Sequence, residues 1–441
     1  MTTDRRQFAR NTAWAGLGLA ALGPRAALRA VSRSDTVRVG VMGVNSRGGA
    51  LATMFAGRDG CEVVTLCDVD SRASERVAAA VASVEGATQP AEVVDYRRML
   101  EDDSLDAVVI AAPDHWHTPA AILALDAGKH VYVEKPCSHN AREGELLVEA
   151  AHKHHGRVVQ MGNQQRSAPE SIEIMGEIHR GLIGRQYYAK AWYANRRGPI
   201  GRGKQAKVPA WLDYEMWQGP APRRQYRDNL IHYNWHWFWH WGTGEINNNG
   251  AHELDICRWA LEVDYPVRVT SAGGRYHFDD DWEAFDTQIA TYDFEGGRSC
   301  IWEGRSCNGR PVEGRGRGTS IHGEKGTVVV DRAGYVVYDH DNQEIRRRDR
   351  ETEVSGLDTR GADGLTDLHV QNFLDTVRGK AKANAPIVDA RPSVLLCHLG
   401  NIAQRKGRSL EIDPKTGRIR GDKDAESLWG REYEPGWEPV V

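Results

Sequence analysis

The sequence predicts an α/β protein in two parts: a doubly wound parallel sheet, then an α/β domain with an open, mainly antiparallel sheet. Three observations predict it. A β-branched strand runs into a glycine turn in "DTVRVGVMGVNSRGG". From there to about residue 156, strand-like and helix-like stretches alternate, the pattern of a parallel sheet with crossover helices. Beyond it, alternating strands follow one another, separated by turns containing Gly or Asp. A length of 441 residues is too great for one ordinary core and agrees with two domains plus appendages.

The elements follow in order. The first strand spans Val37 to Met42, turns at Gly43 and enters a helix near Gly48. Gly40, Gly43 and Gly48 stand near the places where a dinucleotide-binding (Rossmann) turn needs a missing Cβ. The middle position of that Gly-x-Gly-x-x-Gly pattern is Asn45, a residue that tolerates a left-handed backbone. "CEVVTLCDVD" is a second buried strand ending at Asp68, about 20 residues past the last loop glycine, where a carboxylate meets the adenosine ribose. That charge favours NAD over NADP, while Arg72 keeps NADP open. "LDAVVIAAP" is the third strand. In "HTPAAILALDAGKHVYVEKP", Thr118 is expected to cap a helix, Pro119 to sit in its first turn and Gly128 to end it. The next strand, His130 to Val133, delivers Glu134, Lys135 and Pro136 to its carboxyl end, where doubly wound sheets bind ligands. "QYYAKAWYAN", "VRVTSAGGRYHF", "TQIATYDFEGG", "RSCIWEGRS", "GTSIHGEKGTVVVD" and "GYVVYDH" supply the strands of the second sheet.

Composition narrows the function. Apolar residues are 40%, charged residues 27% and the formal net charge is −4, with both signs interspersed and no basic face of the kind nucleic acid demands. The clusters Arg346-Arg347-Arg348 and Arg223-Arg224 have acids nearby and read as solvated surface. Seven dispersed cysteines without a Cys-x-x-Cys argue against a disulfide scaffold or a thiolate zinc site; Cys300 and Cys307 are placed to pair across a hairpin. At the start, Arg5-Arg6, Phe8 and a short apolar run from Thr12 to Leu22 resemble a twin-arginine export signal. That run is too short to span a bilayer, so residues 1–35 are set apart as a targeting segment and the mature chain is expected in the periplasm without membrane insertion.

The stretch "HYNWHWFWHWGTGEINNNGAHELD" holds four of fourteen tryptophans and four of seventeen histidines. Extended, it puts Tyr233, Trp235, Trp237, Trp239 and Trp241 on one side. Helical, it lines up His232, His236 and His240 as metal ligands would be, but without a carboxylate at a fitting spacing, so no metal is expected. Packing remains open, as does a ligand wall in which indoles cover the C–H face of a sugar. A helix begins near Gly250 and carries His252, Asp255, Ile256 and Trp259 along one face.

Together, "VRVGVMGVNSRG", "AAPDHWHTPAAILALDAGKHVYVEKP", "NNGAHELDICRWAL", "HVQNFLDTVRGK" and "HLGNIAQRKGRSLEIDPKTGRI" resemble the Gfo/Idh/MocA oxidoreductases, in their exported bacterial branch. The resemblance implies a Rossmann NAD(P) domain over 36–156, a substrate-binding sheet domain over 157–360, and C-terminal helices over 361–441 packing back on the core. It implies assembly as a homodimer or homotetramer. It makes Lys135 and His252 the catalytic pair and suggests a cis Lys135–Pro136 bond. Cofactor contacts are expected from Gly43, Asn45, Ser46, Arg47, Asp68, Arg72, Pro113, His117, Glu134 and Lys135, with Glu134 orienting Lys135. Substrate contacts are expected from Gln164, Arg166, Tyr193, Arg196, Trp235, Asn248 and Asp255. The family pattern Asp-x-x-x-His reads Asn248 here, which leaves proton transfer to His252 and Lys135.

The implied activity is hydride transfer between a carbohydrate hydroxyl and nicotinamide. Export adds a condition, because the periplasm does not replenish NAD. A cofactor carried in with the folded chain has to stay bound, at about −12 kcal/mol for nanomolar affinity, and the cycle has to be redox-balanced. An alternative is an NAD-dependent glycoside hydrolase working by transient C3 oxidation, elimination, water addition and re-reduction. A further alternative is a non-catalytic NAD-binding sensor or scaffold, which Asn248 favours.

Overall fold

The structure, a computed structural model, describes residues 36–350 and 363–441. The proposed export signal lies outside the described residues. Six strands form a wholly parallel sheet: β1 (Val37–Met42), β2 (Cys61–Cys67), β3 (Ala91–Val93), β4 (Ala107–Ile110), β5 (His130–Val133) and β6 (Val159–Met161), in the order 3-2-1-4-5-6. β4 throughout and β1 apart from Arg38 are buried and apolar on both faces because helices cover both. Helices Arg47–Ala56 and Ser71–Ala82 lie on one side, where Phe55 packs edge-on against Tyr132 at 6.0 Å.

Nine further strands form the second sheet: β7 (Gln186–Ala194), β8 (Arg268–Gly274), β9 (Thr287–Phe294), β10 (Arg298–Arg305), β11 (Arg317–Gly323), β12 (Gly326–Asp331), β13 (Gly334–Tyr338), β14 (Glu344–Asp349) and β15 (Leu410–Glu411). Their order is 14-13-12-11-7-10-9-8-15, and every pair is antiparallel except β7–β10. The arginine cluster at 346–348 is solvated, as its charge implies, but it lies on β14, a sheet edge. Charge there keeps a bare edge from pairing with another chain. Cys300 and Cys307 are both free thiols and do not pair.

The helices after residue 363 hold the two lobes together. Helix Gly364–Val377 returns to the first sheet, where Phe373 meets Tyr132 at 5.6 Å. Helix Ile387–Lys406 buries Ile387 and Val394 in the first lobe's core and Leu396, Leu399 and Ile402 in the second lobe's core.

One helix differs from its sequence reading. It begins at Asp114, not Thr118, so Pro119 sits inside it. Pro119 has no N–H for the carbonyl of His115 four residues back. Arg431 from the C-terminal segment supplies the missing donor, its Nη2 lying 2.7 Å from that oxygen. Thr118 instead donates to the Cys137 carbonyl at 2.8 Å.

Candidate functional site

A cleft of about 570 Å³ opens at the carboxyl ends of the first sheet's strands, beside helix Ala251–Leu261 of the second lobe. At one end is the glycine turn. Gly43 has φ +81, and a Cβ there would lie 2.6 Å from the Ala112 nitrogen; a Cβ on Gly48 would lie 2.0 Å from the Gly43 carbonyl. No side chain caps the helix that follows, and no acid sits in its first turn. Its N–H groups and positive dipole end are thus available to an anion. Gly43, Asn45, Ser46 and Arg47 all line the cleft. Asp68 lines it too, at the end of β2, held by N–H donors from Val44 at 2.6 Å and Asp70 at 2.9 Å. Burial raises its pKa, opposed by these two hydrogen bonds. An open helix N-terminus and a carboxylate on the neighbouring strand fit the pyrophosphate and ribose of a dinucleotide.

The catalytic candidates meet at the middle of the cleft. The Lys135–Pro136 bond is cis. The Lys135 ammonium donates to the Asn248 carbonyl oxygen at 2.6 Å and to Asn248 Oδ1 at 3.1 Å. Burial lowers its pKa, partly opposed by Glu134 and Asp114. His252, one turn beyond Asn248, is 4% exposed, and its Nε2 is buried without a hydrogen-bond partner among the described residues. Burial holds its pKa well below the usual value, and the Lys135 charge lowers it further. The imidazole is therefore neutral near pH 7 and able to accept a proton.

Glu134 ties the parts together. It accepts from Arg47 Nε at 2.8 Å, from Gln164 Nε2 at 3.3 Å and from the Lys135 backbone N–H at 3.3 Å. His117 and Pro113 also line the cleft. The His117 ring faces the carbonyls of Pro136 at 2.6 Å and Ala112 at 2.7 Å, so it braces two strand ends.

The far wall comes from β7 and the long connection after it. Tyr193, Asn195, Arg197, Tyr233, Trp235 and His236 line it. Trp235 stacks on His236 at 3.6 Å. The aromatic stretch is neither extended nor a continuous helix: Asn234–Trp237 is a 3₁₀ turn, and the three histidines part company. His232 meets Asp70 at 2.8 Å, His236 faces the cleft, and His240 meets the Pro222 carbonyl at 2.7 Å. Trp237 is packed, stacked on Trp282 at 3.9 Å.

Four expected contacts fall elsewhere. Arg72 does not line the cleft; it pairs with Asp70 and lies over Trp211 at 3.5 Å. Arg196 is exposed and does not line the cleft, its backbone forming an isolated β-bridge with Cys307; its neighbour Arg197 faces the cleft. Arg166 and Asp255 form a buried ion pair at 2.7 Å, joined by Ser393 at 2.6 Å, in the seam beneath helix 251–261. A turn deeper than His252, Asp255 reaches the neighbouring helix rather than the cleft.

The sequence reading also missed a strap. Between Arg196 and Glu245 the chain crosses to the first lobe with its own small core, including Leu212, Tyr214, Trp217 and Phe238. Ser71 N–H donates to the Trp211 carbonyl at 3.2 Å, and Asp213 N–H to the Val69 carbonyl at 2.9 Å. Met216 and Trp217 thereby cover the same end of the cleft as Asp68. The C-terminal segment holds the strap down: Glu434 N–H donates to the Pro220 carbonyl at 3.0 Å, and Trp437 packs edge-on against Trp116 at 5.3 Å.

Comparison with known proteins agrees with this geometry. Residues 37–163 match the Gfo/Idh/MocA "Oxidoreductase family, NAD-binding Rossmann fold", and residues 190–328 match its "C-terminal alpha/beta domain". Together these take in more than half the chain, which belongs to the Gfo/Idh/MocA oxidoreductase family. It is 29% identical over 198 residues to a glycosyl hydrolase family 109 protein of Shewanella pealeana, a match that takes in 44% of this chain and 43% of the relative. Its fold resembles the WlbA dehydrogenase of Bordetella pertussis, solved with NADH and UDP-GlcNAcA, at TM-score 0.63 and 20% identity over 86% of this chain and 99% of that one. It also resembles levoglucosan dehydrogenase, solved with NADH and levoglucosan, at TM-score 0.63 and 18% identity over 85% of this chain and 99% of that one.

Proposed function

We propose that this chain is a carbohydrate oxidoreductase that keeps its NAD through repeated, redox-balanced turnovers. One observation carries the reading: an ammonium from the first lobe and a neutral imidazole from the second line one cleft, the ammonium bonded to Asn248 one turn before the imidazole. NAD, held by the glycine turn and Asp68, would supply a hydride acceptor for a carbinol carbon. Lys135 donates a hydrogen bond to the carbinol oxygen and stabilises negative charge as it develops there. His252 Nε2 takes the proton from that oxygen and returns it when the carbonyl is reduced. Asn248 accepts from Lys135 and holds it in place without itself taking a proton. Trp235 and His236 cover the C–H face of the ring.

The strap over the cleft supports a captive cofactor, and a captive cofactor supports export of the folded holoprotein. Purified protein incubated with a panel of sugars should show reduction of its own bound nicotinamide. A panel that leaves the spectrum unchanged contradicts the proposal.

The Shewanella relative favours a second reading, net glycoside hydrolysis. Oxidising a ring hydroxyl acidifies the adjacent C–H. Loss of that proton expels the aglycone, water adds to the resulting double bond, and the hydride returns to the ketone, so no external oxidant is consumed. Sustained phenol release from a nitrophenyl glycoside without added acceptor supports this reading. Product formed only when a second carbonyl compound is supplied supports transfer between two sugars.

A further inference from the structure

We infer that the sugar end of the cleft is built for an uncharged ring, and that Glu245 enforces this by neutralising Arg197. The inference rests on the carbohydrate reading above and narrows it to neutral polyols and glycosides, with uronic acids excluded.

Arg197 is the cation on the far wall, where a sugar carboxylate would otherwise find its partner. Its guanidinium is already committed. Nε donates to Glu245 at 2.6 Å, Nη2 to Glu245 at 3.2 Å and to the Tyr193 hydroxyl at 3.5 Å, and Nη1 to the Tyr233 hydroxyl at 2.9 Å. Trp237 covers it at 4.9 Å.

Glu245 is as firmly held. Besides Arg197 it accepts from Ser306 Oγ at 2.9 Å, from Asn249 Nδ2 and from Asn248 Nδ2 at 3.4 Å, and it is 5% exposed. A bidentate pair of this kind presents no net charge to a ligand. Of the other cations on the cleft, Arg47 is ion-paired with Glu134 and Lys135 sits at the reacting centre, away from the far wall. Lys135 directs two bonds to Asn248, leaving its remaining N–H for the reacting oxygen.

A carboxylate entering at the far wall would lose its water without gaining a counter-ion there, which is costly. A hydroxyl would lose little. The Tyr193 oxygen already receives bonds from Asn195 Nδ2 at 2.7 Å and from Arg197, so its own proton is directed to an acceptor such as a ring hydroxyl. Glu245 acts through Arg197 and is a positioning residue.

The test is binding to the purified holoprotein, followed by quenching of its indole fluorescence. The ligands are matched pairs of methyl glycosides and methyl uronates in the gluco and galacto series. The wild type should bind the better neutral member at least about a hundredfold more tightly than its uronate. Uronates bound as tightly as their neutral partners, or no binding of either, overturns the inference whatever happens to the variant. Glu245→Gln should release Arg197 and shrink the ratio at least about tenfold, mainly by tighter uronate binding. A folded Glu245→Gln protein with the wild-type ratio removes Glu245 from the account, since a merely structural role would weaken both ligands alike. Nicotinamide reduction is read in the same samples. Its absence beside an intact ratio contradicts the proposed reaction and leaves this assignment standing.

Discussion

The two ends of the cleft are built in different ways. At the cofactor end, backbone does the work: a positive-φ glycine turn, an uncapped helix N-terminus and a strand-end carboxylate. At the proposed sugar end, side chains from an irregular connection and a 3₁₀ turn do it, fixed by buried pairs such as Arg197–Glu245. Backbone geometry demands particular residue types at particular spacings. A side-chain wall depends on which way each residue faces, and that is settled only by tertiary packing. The cofactor end should therefore fail abruptly on small changes, while the sugar end should change its selectivity.

The largest effects belong where the two ends meet. Lys135→Ala should cut turnover by roughly 10²- to 10⁴-fold with dinucleotide still bound, and His252→Ala by a similar factor. Steady-state rates alongside the nucleotide content of denatured protein check both. Near-normal rates would remove either residue from the chemistry.

Gly48→Ala tests the backbone end. Its Cβ would lie 2.0 Å from the Gly43 carbonyl, so the turn has to move. Protein purified with this change should release no dinucleotide on denaturation; wild-type content would show that the turn does not hold it. Deleting residues 431–441 removes Arg431, Glu434 and Trp437, which pin the strap and the helix beneath it. The rate of cofactor loss on dilution should rise at least about tenfold. An unchanged rate in a folded protein would show that the strap holds without its tail.

A pH effect separates packing from chemistry. Buried His369 has its pKa lowered to about 4 by burial, and buried His398 to about 3 for the same reason. Above the unfolded value of about 6.5 neither state takes a proton at these sites, so they add no pH dependence. As pH falls below it, the unfolded chain binds protons that the folded chain refuses. Stability should then drop by up to about 1.4 kcal/mol per pH unit for each such histidine until the folded values are reached. Urea midpoints at pH 7 and pH 5 give the slope, and a flat profile contradicts it.

Asn248→Asp should have the smallest effect. A carboxylate on the Lys135 ammonium favours its charged form, so any alkaline limb of the rate profile that reports Lys135 should move to higher pH. An unmoved limb would assign it to another group.

How much was legible follows the same division. Gly43, Gly48, Asp68, Lys135 and His252 could be read from spacing and resemblance, and all line the cleft except Gly48, which packs behind the turn. The parallel character of the first sheet follows from its alternation with helices, but the three-residue strands β3 and β6 are too short to show a pattern, so the strand read as third is the fourth. Arg197 was missed in favour of Arg196 because β7 ends at Ala194, and after that point strict alternation no longer decides which neighbour faces in. Asp255 shares a helix face with His252 in projection, but one turn of depth takes it to Arg166 and Ser393. The aromatic stretch was ambiguous because three of its rings serve three purposes: Trp235 in the wall, Trp237 in a stack and Trp241 in the strap's core. No periodicity encodes that division.

The central claim is that Lys135 and His252 act on one oxygen. The rate of bound-nicotinamide reduction by a neutral sugar, measured for wild type, Lys135→Ala, His252→Ala and the double variant, tests it most directly. Two groups serving one proton transfer should be non-additive, with the double variant about as slow as the slower single. A double variant slowed by the product of the two single effects would mean that they act independently, and the shared site would not stand.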